Sequence, residues 1–349
     1  MPRQSDTTAT PSERASSAAG DRRTTGPAAK NPKPRYRPLA DPDARIYVGD
    51  CRDLLATAPD LFEGGDPANP GAVDLIFADP PFNWARDYDR HRAGDAWIDK
   101  LADEEYLDFT KRWLDGCVRA LKPNGSFWIN IPDTWAAEIV VHLKGDRDAD
   151  RNPRERLHMV NWCVWHYRFG QNTMNRFINS KVHVLYFAKD RENRTWNVDE
   201  ILELSDRATT YFDPRTMNKK VGRSGLRVPM DVWYGKYLGR VQGNNKERRA
   251  NHDNQIPEAY MERVIRACSN EGDLVLDPFL GSGTTGVVAR ELDRRFVGFE
   301  YAESNAKSAW ERIKDGPVRV RKDQPLVHAS AIFAPRGASP TARKATEAE

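Results

Sequence analysis

Residues 73–78 read VDLIFA and run directly into Asp79-Pro80-Pro81. A strand so nearly all apolar must be covered on both of its faces, as in the middle of a mostly parallel sheet sandwiched by helices. The two prolines forbid further ladder pairing, so the strand has to stop there. An acid, two prolines and an aromatic, Phe82, are thereby delivered to the edge of a sheet.

The rest of the chain alternates accordingly. Strands are predicted at Arg45–Val48, Ser126–Ile131, Asn161–Arg168, Lys181–Phe187, Leu274–Leu276 and Arg295–Phe299. Asp103 can cap a helix whose apolar positions Tyr106, Phe109, Trp113, Cys117 and Leu121 recur at helical spacing, and Lys122-Pro123-Asn124-Gly125 stops it. Further helices are predicted at Pro257–Ala267 and Thr285–Leu292. Such alternation implies an α/β fold with a doubly wound sheet. Residues 190–250 break the pattern with frequent Gly, Asn and Arg, as an inserted subdomain or functional loop region would. The expected organisation is therefore a disordered basic arm at 1–40, halves of one α/β domain at 41–190 and 251–324, an insertion at 191–250 and a disordered tail at 325–349.

No apolar run approaches the length of a membrane span, and the N-terminus lacks an apolar signal region, so a soluble cytoplasmic protein without membrane association is expected. The four cysteines, Cys51, Cys117, Cys163 and Cys268, form neither a CxxC pair nor a metal spacing, and no metal is expected. Formal net charge is only +3, but residues 214–250 carry ten Lys or Arg against two acids. Both tails are basic as well, which leaves an acidic body with one concentrated basic segment.

Residues 274–286 read LVLDPFLGSGTTG, with Gly281, Gly283 and Gly286 following a strand and opening a helix. Glycines in that setting let backbone N–H groups approach a ligand at a helix N-terminus. Glu300 ends the next strand, where an acid can accept hydrogen bonds from ribose hydroxyls. No Gly-Lys-Ser/Thr follows, which argues against a phosphate loop of the Walker type, whereas a nicotinamide cofactor remains open from the glycines alone.

Taken together and in this order, DPPFNW at 79–84 and DPFLGSGTT at 277–285 resemble the amino-methyltransferases of DNA, in the circularly permuted beta-class arrangement. Gly49-Asp50 matches a strand end found upstream of the catalytic motif in that family. HDNQIPEAYMERVI at 252–265 matches the family's approach to the glycine turn at Gln255, Pro257 and Glu258. It departs at Ile256, where a lysine is common, and at Asp253, where relatives have a proline. The resemblance covers roughly residues 45–310. It implies a Rossmann-like fold of the S-adenosylmethionine-dependent methyltransferase type with an inserted DNA-recognition region. The implied cofactor residues are Asp50, Cys51, Asp277, Phe279, Gly281, Ser282, Gly283, Thr284 and Glu300, with Asp50 toward the adenine amine and Asp277 toward the methionine end. Permutation would set Arg45–Asp50 beside Arg295–Glu300.

An exocyclic base amine is a poor nucleophile, because its lone pair is delocalised into the ring. Methylating it requires the amine held in line, acceptors for its hydrogens and a stacked base. The Asp79 carboxylate and the Pro80 carbonyl are candidate acceptors, Pro81 stiffens the turn, and Phe82 offers a stacking face. The target base would have to leave the duplex. The departing thioether is neutral, so neither a metal nor a covalent enzyme intermediate is needed. Carbon-five cytosine methylation is excluded by the lack of a Pro-Cys nucleophile. Asn83, Trp84 and Asn130 either border the pocket or pack.

Within the basic segment, Arg215, Lys219, Lys220, Arg223, Arg227, Lys236, Arg240, Lys246, Arg248 and Arg249 are candidates for contacts to duplex DNA, interspersed with Tyr211, Trp233, Tyr234 and Tyr237. The reading drawn from the resemblance is N6 methylation of adenine. Cytosine-N4 methylation is the alternative, disfavoured by Asp79 because cytosine enzymes more often carry Ser there. An RNA or protein-amide methyltransferase and a non-catalytic DNA-binding relative stand further off. The resemblance also allows a homodimer and a cognate restriction endonuclease of a restriction-modification pair as partners.

Overall fold

A computed structural model describes residues 32–37, 41–85, 99–145, 156–167, 170, 172–205, 225–235, 237–249, 252 and 254–326. In chain order the strands are β1 (Ala44–Val48), β2 (Val73–Ala78), β3 (Leu121–Ile131), β4 (His158–His166), β5 (Lys181–Ala188), β6 (Glu203–Leu204), β7 (Leu226–Arg227), β8 (Val232–Trp233), β9 (Leu274–Asp277) and β10 (Arg295–Glu300). The helices are α1 (Cys51–Thr57), α2 (Asp103–Ala120), α3 (Asp133–Lys144), α4 (Glu258–Cys268), α5 (Thr284–Glu291) and α6 (Glu303–Asp315).

Eight strands form one sheet in the order β1-β10-β9-β2-β3-β5-β4-β8. It is parallel from β1 through β3; β5 then runs antiparallel to both β3 and β4. All six residues of β2 are buried, because alternation sends Leu75 and Phe77 into one core and Ile76 and Ala78 into the other. Helices α4, α5 and α6 cover the first face, while α1, α2 and α3 cover the second. From the centre the chain winds outward in both senses, β9 to β10 on one side and β2 to β3 on the other. The two innermost strands, β9 and β2, are separated by about two hundred residues of chain. β1 pairs with β10 in register from Ala44↔Phe296 to Val48↔Glu300, the pairing that permutation requires.

Several local expectations are revised. Asp103 is the first residue of α2 rather than its cap, and Ala102 at the cap makes no side-chain hydrogen bond. With Glu104 and Glu105, Asp103 instead acts on the positive end of the helix dipole. Lys122-Pro123-Asn124-Gly125 is not a stop before the strand. β3 begins at Leu121 opposite Val73, and the register jumps so that Leu75 faces Ser126, leaving these residues as a bulge. An added Cβ at Gly125 would sit 2.7 Å from the Leu121 side chain and 3.1 Å from the Asp74 carbonyl, so that side chain would have to shift.

Residues 32–37, expected in the disordered arm, belong to the fold: Tyr36 pairs with Ile46 and its ring lies 5.7 Å from that of Trp310. The remainder of that arm and residues 327–349 lie outside the described residues. The described part of the region 191–250 is joined to the main sheet as well. Its β8 joins the main sheet beside β4, and Trp233, Leu238 and Val241 are buried. The four cysteines are buried and form no disulfide. Among the described residues no helix is long and apolar enough to cross a membrane.

Candidate active site

The ends of β1, β2, β9 and β10 converge on one cavity of about 270 Å3. This is the topological switch point, where the strand order reverses and a crevice opens beyond the strand ends. Asp50 and Cys51 from β1, Asp79 to Phe82 from β2, Asp277 and Phe279 from β9 and Glu300 from β10 all line it.

The Asp-Pro-Pro-Phe turn is held from outside. The Tyr106 hydroxyl of α2 donates to the Pro81 carbonyl at 2.7 Å, and the Trp135 indole of α3 donates to the Phe82 carbonyl at 3.1 Å. Among the described residues the Pro80 carbonyl takes no hydrogen bond, so it is the acceptor the turn leaves open. The Phe82 ring meets Trp84 edge-on at 5.1 Å, and both rings line the cavity. Asn83 proves structural. It sits at φ 57°, its side chain exchanges hydrogen bonds with the Leu101 backbone, and the Asp99 carboxylate accepts its N–H and that of Trp84.

Behind Asp79, the buried Tyr260 phenol of α4 donates to Asn130 Oδ1 at 2.6 Å. Burial, and secondarily the nearby Asp79 charge, push that phenol well above its usual value, so it stays a neutral donor. Asn130 is thus engaged in a structural hydrogen bond and does not line the cavity.

On the β9 side, Asp277 is buried, with its oxygens accepting from the Phe279 N–H and the Thr285 hydroxyl. Burial pushes its carboxyl up to about 6. The glycine turn follows. Gly281, at φ 49°, donates its N–H to Glu300 Oε2 at 2.9 Å. Glu300 Oε1 accepts from the Ala302 N–H and, more weakly, from Asn305. Burial pushes Glu300 up to about 7 despite these donors. Gly283 does not line the cavity. It is the left-handed cap of α5 at φ 79°, and a Cβ there would come within 3.0 Å of Ala309 on α6.

The turn is fixed by a buried arginine that sequence reasoning missed. Arg312 of α6 donates to the Ser282 carbonyl and hydroxyl and to the Thr284 hydroxyl, and pairs with the buried Glu258 of α4 at 3.4 Å. Glu258 also accepts the N–H groups of Val318 and Arg319, and its own N–H is held by Glu247. Ile256, in place of the family's common lysine, accepts the Thr284 hydroxyl through its carbonyl. Asp50 lines the cavity with its carboxylate clamped by Arg52 and the α1 N-terminus.

The far wall comes from elsewhere. Trp165, Tyr167 and Val182 of the β4–β5 hairpin, with Arg240, His252 and Asn254, complete the cavity. The alternation of Cys163, Trp165 and Tyr167 along one strand was the available sequence signal.

Of the basic candidates, Arg215, Lys219, Lys220, Arg223 and Lys236 lie outside the described residues. Arg240 borders the cavity, bonded to Asn254. Lys246 and Arg248 are exposed. Arg227 pairs with Glu203, and Arg249 with Asp315 and, through its N–H, with Gln255. No group of three or more His, Cys, Asp or Glu suited to a metal ion occurs among the described residues.

A protein-family model described as DNA methylase (N6_N4_Mtase) matches residues 73–311. The chain is 33% identical over 274 residues to the Type II methyltransferase M.BamHI of Bacillus amyloliquefaciens, a match covering 78% of this chain and 57% of that protein. It is 32% identical over 242 residues to the Type II methyltransferase M.HpaI of Haemophilus parainfluenzae, covering 69% of this chain and 68% of that one. Among solved structures it is similar in fold to the PvuII DNA methyltransferase (cytosine-N4-specific), with a TM-score of 0.55 at 15% identity over 83% of this chain and 93% of the other.

Proposed function

This chain belongs to the DNA methylase family, and from that premise we propose that it transfers a methyl group from S-adenosylmethionine to the N6 amine of adenine in double-stranded DNA. The observation that carries the reading is the single cavity shared by the Asp79-to-Phe82 turn and the glycine turn with Glu300. A base-binding half and a nucleoside-binding half would otherwise have no reason to meet.

The residues present fit S-adenosylmethionine. Glu300 Oε2 holds one loop N–H and keeps an acceptor site for a ribose hydroxyl. The Asp50 side chain is held beside the cavity by its Arg52 partner at 2.7 Å. The Phe279 ring lines the cavity and is fixed edge-on by Trp113 at 5.1 Å. When bound, S-adenosylmethionine supplies an electrophilic methyl group on a positively charged sulfur.

The chain's own part is positioning and proton acceptance. Asp79 and the open Pro80 carbonyl accept hydrogen bonds from the two amine N–H groups, which lets the nitrogen become more tetrahedral and frees its lone pair; the single proton that the methylated amine sheds leaves by way of the Asp79 carboxylate to solvent. With the Pro81 and Phe82 carbonyls already bonded to Tyr106 and Trp135, the turn cannot swing away as charge develops. Phe82 and Trp84 supply the apolar face against which an extruded base stacks. Asp79, rather than the serine common in cytosine enzymes, favours adenine as the target.

The test is to incubate the protein with labelled S-adenosylmethionine and mixed-sequence duplex DNA, then digest to nucleosides. Label in N6-methyladenine supports the reading; label confined to N4-methylcytosine overturns the choice of base. A homodimer and a cognate restriction endonuclease remain part of the same proposal.

A further inference from the structure

The β4–β5 hairpin carries a second feature besides its contribution to the cavity wall. Asp79 follows Ala78, which pairs with Ile129, and two residues on Ile131 pairs with His183, itself opposite Val164. The turn of the hairpin therefore rises from the same sheet edge as the catalytic turn. The Tyr167 N–H donates to the Ser180 carbonyl at 3.1 Å and closes the base of this turn. Gly170 is packed so tightly that a Cβ would lie 2.2 Å from Ile178. The Thr173 hydroxyl bonds Asn175 at 2.9 Å, which gives the tip an ordered shape.

On that tip, Met174 and Phe177 are each 97% exposed, and Ile178 is 47% exposed. Single exposed apolar residues are ordinary, but two large ones almost fully in water on one short loop are not. Their neighbours are of one kind. The run Asn172–Lys181 reads NTMNRFINSK, with two cations and no acid, Lys181 at its root already meeting Asp133 of α3 at 3.3 Å. An apolar tip ringed by asparagines and cations suits a partner that is stacked inside and anionic outside.

We propose that this hairpin tip is the wedge that enters the duplex when the target base leaves it, with Phe177 filling the vacated place in the stack and Arg176 on a flanking phosphate. The proposal rests on the base-flipping reading above. Extruding a base removes its stacking on both neighbours, and an apolar side chain inserted between base steps recovers part of that loss. The tip is placed for this because Tyr167 and Val182, at the root of the same hairpin, already line the cavity that would receive the base. A second copy of this chain as the occupant is the competing possibility, and the test separates the two.

The site methylated by the wild type in mixed-sequence duplex DNA is mapped first. Two synthetic duplexes are then compared, one fully paired and one with an abasic site opposite the target. Phe177→Ala should lose about tenfold or more in kcat/KM on the paired duplex and stay within about twofold of wild type on the abasic one, where extrusion is already favoured. Its thermal unfolding should match wild type, because the ring is exposed. Equal rates of variant and wild type on both duplexes would overturn the wedge while leaving the methyltransferase reading intact. So would a variant that methylates normally but changes from dimer to monomer by light scattering. A wild type that methylates neither duplex would sink both readings.

Discussion

The Arg312 guanidinium on α6 reaches the Thr284 hydroxyl at the start of α5 at 2.7 Å, and its other arm meets the buried carboxylate of Glu258. A cation at a helix N-terminus opposes the helix dipole, so the arrangement persists only because Glu258 faces it. Removing one member leaves the other charged and buried. Arg312→Ala should destabilise the protein by about 3–5 kcal/mol, read from urea unfolding, with Arg312→Lys losing less because part of the charge is kept. A variant as stable as wild type would show that the pair is dispensable.

Asp79→Ala should lower kcat for methyl transfer by at least about a hundredfold, the scale seen when one preorganised electrostatic partner is removed. Asp79 stands at the end of β2, whereas the glycine turn and Glu300 are carried by β9 and β10. S-adenosylmethionine affinity, measured by calorimetry, should therefore stay near wild type. Normal turnover by this variant would remove Asp79 from the chemistry.

Tyr106→Phe deletes only the hydroxyl that holds the Pro81 carbonyl. Stability should fall by about 0.5–1.5 kcal/mol, the net worth of one hydrogen bond. Turnover should fall several-fold with cofactor affinity unchanged, because the acceptors for the base amine lose their support. The split between kcat and cofactor Kd distinguishes this positioning role from general loosening of the fold.

If Glu300 holds the cofactor ribose as proposed, cofactor binding should depend on pH. Burial raises its carboxyl to about 7, and only the ionised form is a full acceptor for ribose hydroxyls. S-adenosylmethionine affinity should therefore weaken as pH falls below about 7, by up to about tenfold per unit, and Glu300→Gln should flatten the profile. Stability runs the other way. A folded-state value above the ordinary 4.5 means that the folded chain holds this proton more tightly than the unfolded chain. The stabilising contribution of Glu300 is complete below about 4.5 and is lost as pH rises through about 7.

The basic candidates divide into two classes. Lys246 and Arg248 are exposed, and replacing both by Ala should make the salt dependence of DNA binding shallower by about 0.9 in log–log slope for each phosphate no longer neutralised. Arg227 pairs with Glu203 and should affect stability more than the salt slope. Fluorescence anisotropy across a salt series separates the two.

The sheet was legible because β2, β9 and β10 are buried on both faces and read as apolar runs, which periodicity detects directly. The meeting of Asp79 with Glu300 was legible through the order of two motifs. Other features depended on partners far along the chain. In α4, Glu258, Glu262, Arg263 and Arg266 look like the wet face of an amphipathic helix, yet all are buried. Their partners are Arg312, Glu203 and the backbone of residues 318–326, which no local pattern announces. The two-residue β8 was invisible for the same reason, since only its parallel pairing with β4 makes it a strand. Gly283 was read as a ligand-facing glycine. The turn itself needs it, because its neighbour across the gap is Ala309.

The pairing of β1 with β10 and of β2 with β9 has a consequence for a chain synthesised from its N-terminus. β1 and β2 have no parallel neighbours on those sides until β10 and β9 have been made. Until then, β1 and β2 present open edges of the kind that template association between nascent chains. Pairings of such long sequence separation also slow folding. The crevice at the strand ends cannot exist on a ribosome-bound fragment that stops before β9 and β10, so any capacity to act on DNA waits until Glu300 has been made.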